Sequence, residues 1–178
     1  MLKSQTVALP DRGSTQLITI TERPALVADR AARAALTAIG EDPDGGVVAL
    51  AVQHAPAVQA LGAAGIDLLQ PFVSADREPT TWRGVLQLQH AALALHVGFL
   101  VGRPLLQVPV AMQGEAIMRD AGTRALFCSP QIATVLHSGR ATYRELETVL
   151  STEDVFNIVE LLNVEAIREW HAAQQHRK

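Results

Sequence analysis

Few side chains in this chain are placed to do chemistry. Its histidines are His54, His90, His96, His137, His171 and His176, and its one cysteine is Cys128. A metal pair carried on a helix needs ligands at i and i+4, on one face. His90 and His96 stand six residues apart, on different faces of a helix, and His171 and His176 stand five apart. There is no Cys-x-x-Cys, and a metal site needs three or four converging ligands. No metal and no cofactor are expected. His96 lies in the most apolar run, Ala91 to Val101 (AALALHVGFLV). A general base needs a matched nucleophile or substrate, so His96 is expected to be a satisfied interior histidine. Cys128, between Phe127 and Ser129, reads as a small hydrophobe at a joint rather than a nucleophile. Ser138 in HSGR lacks the nucleophile-elbow pattern, and Gly45-Gly46 lacks the Lys-Ser/Thr of a phosphate loop. No catalytic residue is assigned, and the chain is read as a non-enzyme.

Composition narrows the classes further. The 178 residues fit one domain, or a domain with a small appendage. Hydrophobic residues make up 48% but aromatics only 4%, so the core must be built from Ala, Leu and Val. That favours close-packed helices. A net charge of −3 with scattered basic residues gives no stripe for nucleic acid. The apolar run is well short of the roughly 20 residues that span a membrane. The opening MLKSQTVALPDRGS has no apolar core of signal-peptide length. The single cysteine agrees with a reducing compartment. The expectation is a soluble cytosolic protein with no nucleic-acid or membrane partner.

The elements follow from periodicity and punctuation. Residues 15 to 22, TQLITITE, read as a strand or half of a hairpin. Pro24 opens a helix with Val27, Ala31, Ala34, Ala35 and Ala38 on one face and Gly40 as its cap. Val47 to Gln53 is a second apolar run. Pro56 to Leu61 and Ile66 to Val73 read as short helices, and Asp76 to Thr81 as a loop. Trp82 to Leu100 is the strongest helix, with Val85, Leu88, Ala92, Leu95 and Phe99 as its core stripe. Gly102 to Gln113 carries two prolines and reads as a linker, and Glu115 to Phe127 as a weak helix.

Helix signals are densest in the last fifty residues. Ser129-Pro130 is a cap followed by proline at the first helical position, and Gly139 can end that helix. Thr142 and Glu145 have capping-box spacing, and Ser151 and Asp154 repeat it with a shorter acid. Val155, Ile158, Val159 and Leu162 form an amphipathic run, and Asn163 is expected to separate the last two helical runs. The fold class is therefore mainly α, a helical N-terminal domain with a short β element plus a small C-terminal helical module. The boundaries are 1–102 for the first domain, 103–128 for the joint and 129–178 for the module.

The segment HSGRATYRELETVLSTEDVFNIVELLNVEA resembles the C-terminal parts of tail assembly chaperones of long-tailed bacteriophages and prophages. The shared pattern, SGxATxxELxxxxSxxDVxxxxEL, is carried here by Ser138, Gly139, Ala141, Thr142, Glu145, Leu146, Ser151, Asp154, Val155, Glu160 and Leu161. The alanine-rich helix RPALVADRAARAALTAIG and the apolar helix ending in LHVGF look like the first domain of the same proteins. Together they look like the lambda-type arrangement, in which a first domain is joined to a smaller second one, in many phages by ribosomal frameshifting.

The resemblance implies a host-cytoplasmic protein that keeps the tape measure protein soluble. It also implies that the second domain recruits major tail protein and that the chaperone leaves before the virion is complete. Tyr143, Leu146, Phe156 and Trp170 are the expected partner contacts, and a homo-oligomer is possible. The rival readings are a structural virion protein, either a head–tail connector or a tail-completion subunit, and a small enzyme using Cys128 or His96.

Overall fold

A computed structural model of the chain describes residues 1–11, 13–38, 40–53, 72–104 and 127–175. The chain is mainly helical, with a small antiparallel sheet at its N-terminal end. The short helices expected within 56–71, and the linker and weak helix expected within 105–126, fall outside the described residues.

The Thr/Ile-rich segment forms strand β2 (Ser14–Glu22), and the partner it required is the segment just before it, β1 (Ser4–Asp11). Gly13 turns the chain between them at φ +81°, where an L side chain would be strained. The register runs from Ser4 opposite Thr21 to Asp11 opposite Ser14. A third strand, β3 (Val73–Ala75), adds to the end of β2 across Ile20, Thr21 and Glu22. Val73 is thus in a strand and does not end a helix. Strand alternation sends Ile18, Ile20 and Glu22 inward. The other face carries paired hydroxyls, Ser4 with Thr21 at 3.0 Å and Thr6 with Thr19 at 3.2 Å.

Helix α1 (Ala25–Ala38) follows Pro24, as expected, but its buried face differs in phase. The buried residues are Ala25, Leu26, Ala28, Asp29, Ala32 and Leu36, whereas Ala34 and Ala38 are exposed. A carboxylate at position 29 hides this face from a hydrophobicity count. Residues 43–53 wind as a chain of tight helical turns that bury Val47, Ala49, Leu50 and Ala51.

Helix α2 (Trp82–Val97) starts at Thr81, whose Oγ1 accepts the Gly84 N–H at 3.1 Å. It ends in a 3-10 turn over Gly98–Leu100. Of the expected stripe, Leu88 and Ala92 are buried, while Val85, Leu95 and Phe99 are half-buried. Gln89 and His96 share the inner face.

Three helices follow in the C-terminal segment: α3 (Pro130–His137), α4 (Tyr143–Thr148) and α5 (Thr152–Gln175). Gly139 ends α3 at φ +70°. The capping box at α4 is complete, with the Glu145 N–H donating to Thr142 Oγ1 and the Thr142 N–H to Glu145 Oε2. Ser151 and Asp154 make the same reciprocal pair at α5. Asn163 does not divide two helices, because α5 runs through it for 24 residues. Asn lowers helix propensity by a fraction of a kcal/mol (up to about 0.7), too little to end a helix held by packing on one side of it.

Two cores result. The first joins the sheet to α1, the 47–51 turns, Phe72 and α2. The second gathers Ala25 and Leu26 of α1 with Cys128, Ile132, Val135, Ala141, Leu146 and Val155. It crosses the expected 129 boundary, because an α-helix of alanines is thin enough to serve packing partners on two sides. The α1 N–H at Ala25 donates to the Leu150 carbonyl at 2.8 Å, and Arg30 pairs with Glu147 at 2.9 Å. The C-terminal helices therefore complete their core with residues of the N-terminal part.

Candidate functional site

The four expected contact residues divide into different environments. Tyr143 begins α4 directly after the capping box and is 42% exposed. The Arg30 guanidinium lies 5.4 Å from the centre of its ring and also donates to its hydroxyl. Phe127, 58% exposed, stands beside it at 6.2 Å between ring centres. An arginine, two rings and Glu147 thus form one exposed cluster, amphipathic in the way that interface anchors are. Tyr143 was among the expected contacts and is exposed; its exposed neighbour Phe127 was not among them, since its isolation before Ser129 gave no periodic signal.

Leu146 does not belong to this surface. It is fully buried in the second core, so its place among expected contacts is corrected. The inward turn of α4 offers one position to the core, and Leu146 fills it. Phe156 is half-buried on α5 and meets Phe99 edge to face at 5.5 Å. Arg103 covers Phe99 at 5.7 Å and donates to Asn157 at 2.8 Å. Trp170 is half-buried and packs edgewise on His171 at 5.0 Å. The fourteen residues from Phe156 to Trp170 span ~21 Å of helix, so these two do not share a patch with one small contact. Arg140 clamps α5 between them through two bonds to Glu165, both 2.8 Å.

Two buried polar groups tie N-terminal elements to C-terminal ones. In the first, Thr152 Oγ1 lies 2.9 Å from His96 Nε2, and His96 Nδ1 lies 3.5 Å from Glu22 Oε1. Among the described residues these two last atoms have no other polar partner. Glu22 Oε2 accepts the Lys3 N–H at 3.2 Å, and Phe72 packs edge-on against the imidazole at 5.8 Å. Burial pushes His96 down to about 3, aided by the Lys3 charge, so the ring is neutral at neutral pH. Burial also raises Glu22, against the pull of the Lys3 N–H.

The order carboxylate, imidazole, hydroxyl invites comparison with a catalytic relay, but the ring and the carboxylate are wholly buried and Thr152 is 6% exposed. A nucleophile must reach its substrate, whereas this arrangement joins β2, α2 and the first turn of α5. His96 is interior as expected but only half satisfied, since Nε2 meets the Thr152 hydroxyl while Nδ1 has no hydrogen-bond partner among the described residues. Glu22 and Thr152 were missed as its neighbours. The available signal for Glu22 was its place two residues beyond Ile20 on the inward face of β2.

In the second group, buried Asp29 accepts the Ser129 N–H at 3.0 Å. Burial raises its carboxyl, while the Ser129 N–H and hydroxyl oppose the rise. Gly46, at φ +51°, sits so close that a Cβ there would collide with Asp29 Oδ1. Cys128 is 3% exposed, and burial followed by the Asp29 charge raises its thiol. A raised thiol is a poor nucleophile.

Among the described residues, no cluster of His, Cys, Asp and Glu could hold a metal, and no helix is long and apolar enough to cross a membrane. Comparison with protein-family models, with curated proteins and with solved structures finds no match.

Proposed function

We propose that this chain is a tail assembly chaperone of a long-tailed bacteriophage or prophage. In this reading it works in the host cytoplasm, holding the tape measure protein and recruiting major tail protein to it. The observation that carries the reading is the SGxATxxELxxxxSxxDVxxxxEL pattern of residues 138–161. Its glycine and its polar capping positions each shape the chain, since Gly139 stops α3, Thr142 with Glu145 opens α4, and Ser151 with Asp154 opens α5. The pattern therefore specifies the local architecture that presents Tyr143.

The exposed Phe127–Tyr143–Arg30 cluster supports a binding role, since aromatic and arginine side chains dominate contact energy at interfaces. A tape measure protein is a long helical chain with apolar stripes to cover, and an amphipathic surface of this kind suits such a helix. The C-terminal helices are the recruiting part in this reading, resting on the first core through α1. The protein acts by binding and release and catalyses no reaction, and it is absent from the finished particle.

The test is co-expression with the tape measure protein of the same phage. The expected result is a soluble tape measure that co-elutes with this chain on gel filtration. A tape measure equally soluble alone, with no complex surviving the column, overturns the proposal. Detection of this chain in purified particles would favour a structural virion protein instead.

A further inference from the structure

Glu22 Oε1 and His96 Nδ1 lie 3.5 Å apart, and both side chains are fully buried. Neither atom has another polar partner among the described residues. The number of protons between them is constrained. With none, two acceptors face each other away from water, a costly arrangement. With two, an imidazole N–H faces a carboxyl O–H, and two donors meet. One proton therefore belongs between them, on the ring or on the carboxyl. Glu22 Oε2 already accepts the Lys3 N–H at 3.2 Å, so a carboxyl proton belongs on Oε1. A neutral ring carries one proton, on one nitrogen only. The nitrogen that holds it decides how Nε2 meets Thr152 Oγ1, 2.9 Å away.

We propose that this buried group is a pH-driven tautomer switch, in which uptake of one proton at Glu22 moves the ring proton of His96 from Nδ1 to Nε2 and reverses the bond to Thr152. With Glu22 ionised, Nδ1–H points at the carboxylate and Nε2 accepts the Thr152 hydroxyl proton. With Glu22 protonated, Oε1–H donates to Nδ1 and Nε2–H donates to Thr152 Oγ1. At 3.5 Å the Glu22–His96 contact is longer than a formed hydrogen bond, so closing it in either state takes a shift of ~0.5 Å. The balance is one proton. The Nδ1 proton passes to Glu22, and a solvent proton arrives on Nε2 beside Thr152, the most exposed of the three residues. The ring is neutral at both ends, and Glu22 loses its charge. Burial raises the Glu22 carboxyl above 4.5 while the ring lies at about 3, so Glu22 titrates first as pH falls. The charged groups facing the pair are Lys3 of β1, which opposes the rise of Glu22, and Asp154 and Glu153 of α5, which add to it. Thr152 opens α5, so the charge state of a β2 carboxyl reaches the first turn of that helix.

The test is nuclear magnetic resonance of the full chain with isotope-labelled histidine ring nitrogens, from about pH 8 to about pH 4. The nitrogen shifts separate Nδ1–H, Nε2–H and imidazolium, and the His96 signals are those missing from His96→Leu. The wild-type ring should stay neutral and pass from Nδ1–H to Nε2–H in one transition as pH falls. Glu22→Gln should hold Nε2–H at every pH. Its amide oxygen takes the Lys3 N–H, which leaves the amide nitrogen to donate to Nδ1. Should acid unfold the chain, the two proteins compared at pH 7 still differ in the protonated nitrogen. Should Glu22→Gln fail to fold, the wild-type titration decides. The same protonated nitrogen throughout the wild-type titration, or in both folded proteins at pH 7, overturns the proposal, as does a folded wild type whose ring becomes imidazolium in that transition.

Discussion

Replacing His96 with leucine should flatten the acid side of the stability curve. In the folded chain the imidazole is held at about 3, against 6.5 when exposed. The unfolded chain therefore binds a proton between these limits that the folded chain refuses. Stability from this group is present above pH 6.5 and is lost as pH falls from 6.5 toward 3. The full loss, ~5 kcal/mol, is reached only below both values, and the part lost between pH 7 and pH 5 is ~2 kcal/mol. Raised Glu22 and raised Asp29 act in the opposite sense, favouring the fold as pH falls, but both remain in the variant. Subtracting the His96→Leu curve from the wild-type curve removes the contribution of Asp29 and leaves that of the imidazole with its contact to Glu22. Urea unfolding followed by Trp82 and Trp170 fluorescence at pH 7, 6 and 5 gives both curves. Wild type should be the more stable at pH 7, because the variant leaves the Thr152 hydroxyl unpaired, and the gap should shrink by ~2 kcal/mol at pH 5, about 0.7–2 M in urea midpoint. Parallel curves from pH 7 to 5 would refute the buried, neutral state of His96.

Leu146→Ala should cost ~2–5 kcal/mol of stability, read as a lower thermal midpoint, because a fully buried leucine leaves a cavity in the second core. On the proposed function, Tyr143→Ala should leave the urea midpoint nearly unchanged yet weaken capture of a tape measure protein by fivefold or more, ~1 kcal/mol, in a pull-down titration; equal binding would remove Tyr143 from the proposed interface. Gly46→Ala should lose ~1–3 kcal/mol in chemical denaturation, since it places a side chain at positive φ against the Asp29 carboxylate. Thr142→Ala and Ser151→Ala should each cost about 1 kcal/mol by the same assay, as lost helix caps.

What the sequence disclosed follows from how locally each feature is determined. The caps at Thr142 and Ser151 depend on residues three positions apart, and both are present with their predicted partners. The β2 strand was legible from its Thr/Ile content, but β1 was not, because SQTVALPD has weak alternation and a proline. The face of α1 was misread because Asp29 lies on it, and the partner that offsets its burial most, Ser129 through its N–H and hydroxyl, is a hundred residues away. The same distance hid the Glu22–His96–Thr152 group, whose members come from a strand and two helices. Tyr143 was named only as a residue of the C-terminal module, and its exposure comes from its place at the start of α4. Leu146 was misassigned because exposure on a six-residue helix cannot be read from spacing alone.

The sharing of α1 between two cores bears on synthesis. The chain emerges from the ribosome N-terminus first, yet the Ala25 N–H waits for the Leu150 carbonyl and the Asp29 carboxylate for the Ser129 N–H. At ~5–20 residues per second the interval from residue 25 to residue 150 lasts roughly 6–25 s. Throughout that interval Ala25 and Leu26 are without the helices that cover them, so the nascent chain passes through a stage with exposed apolar surface of its own.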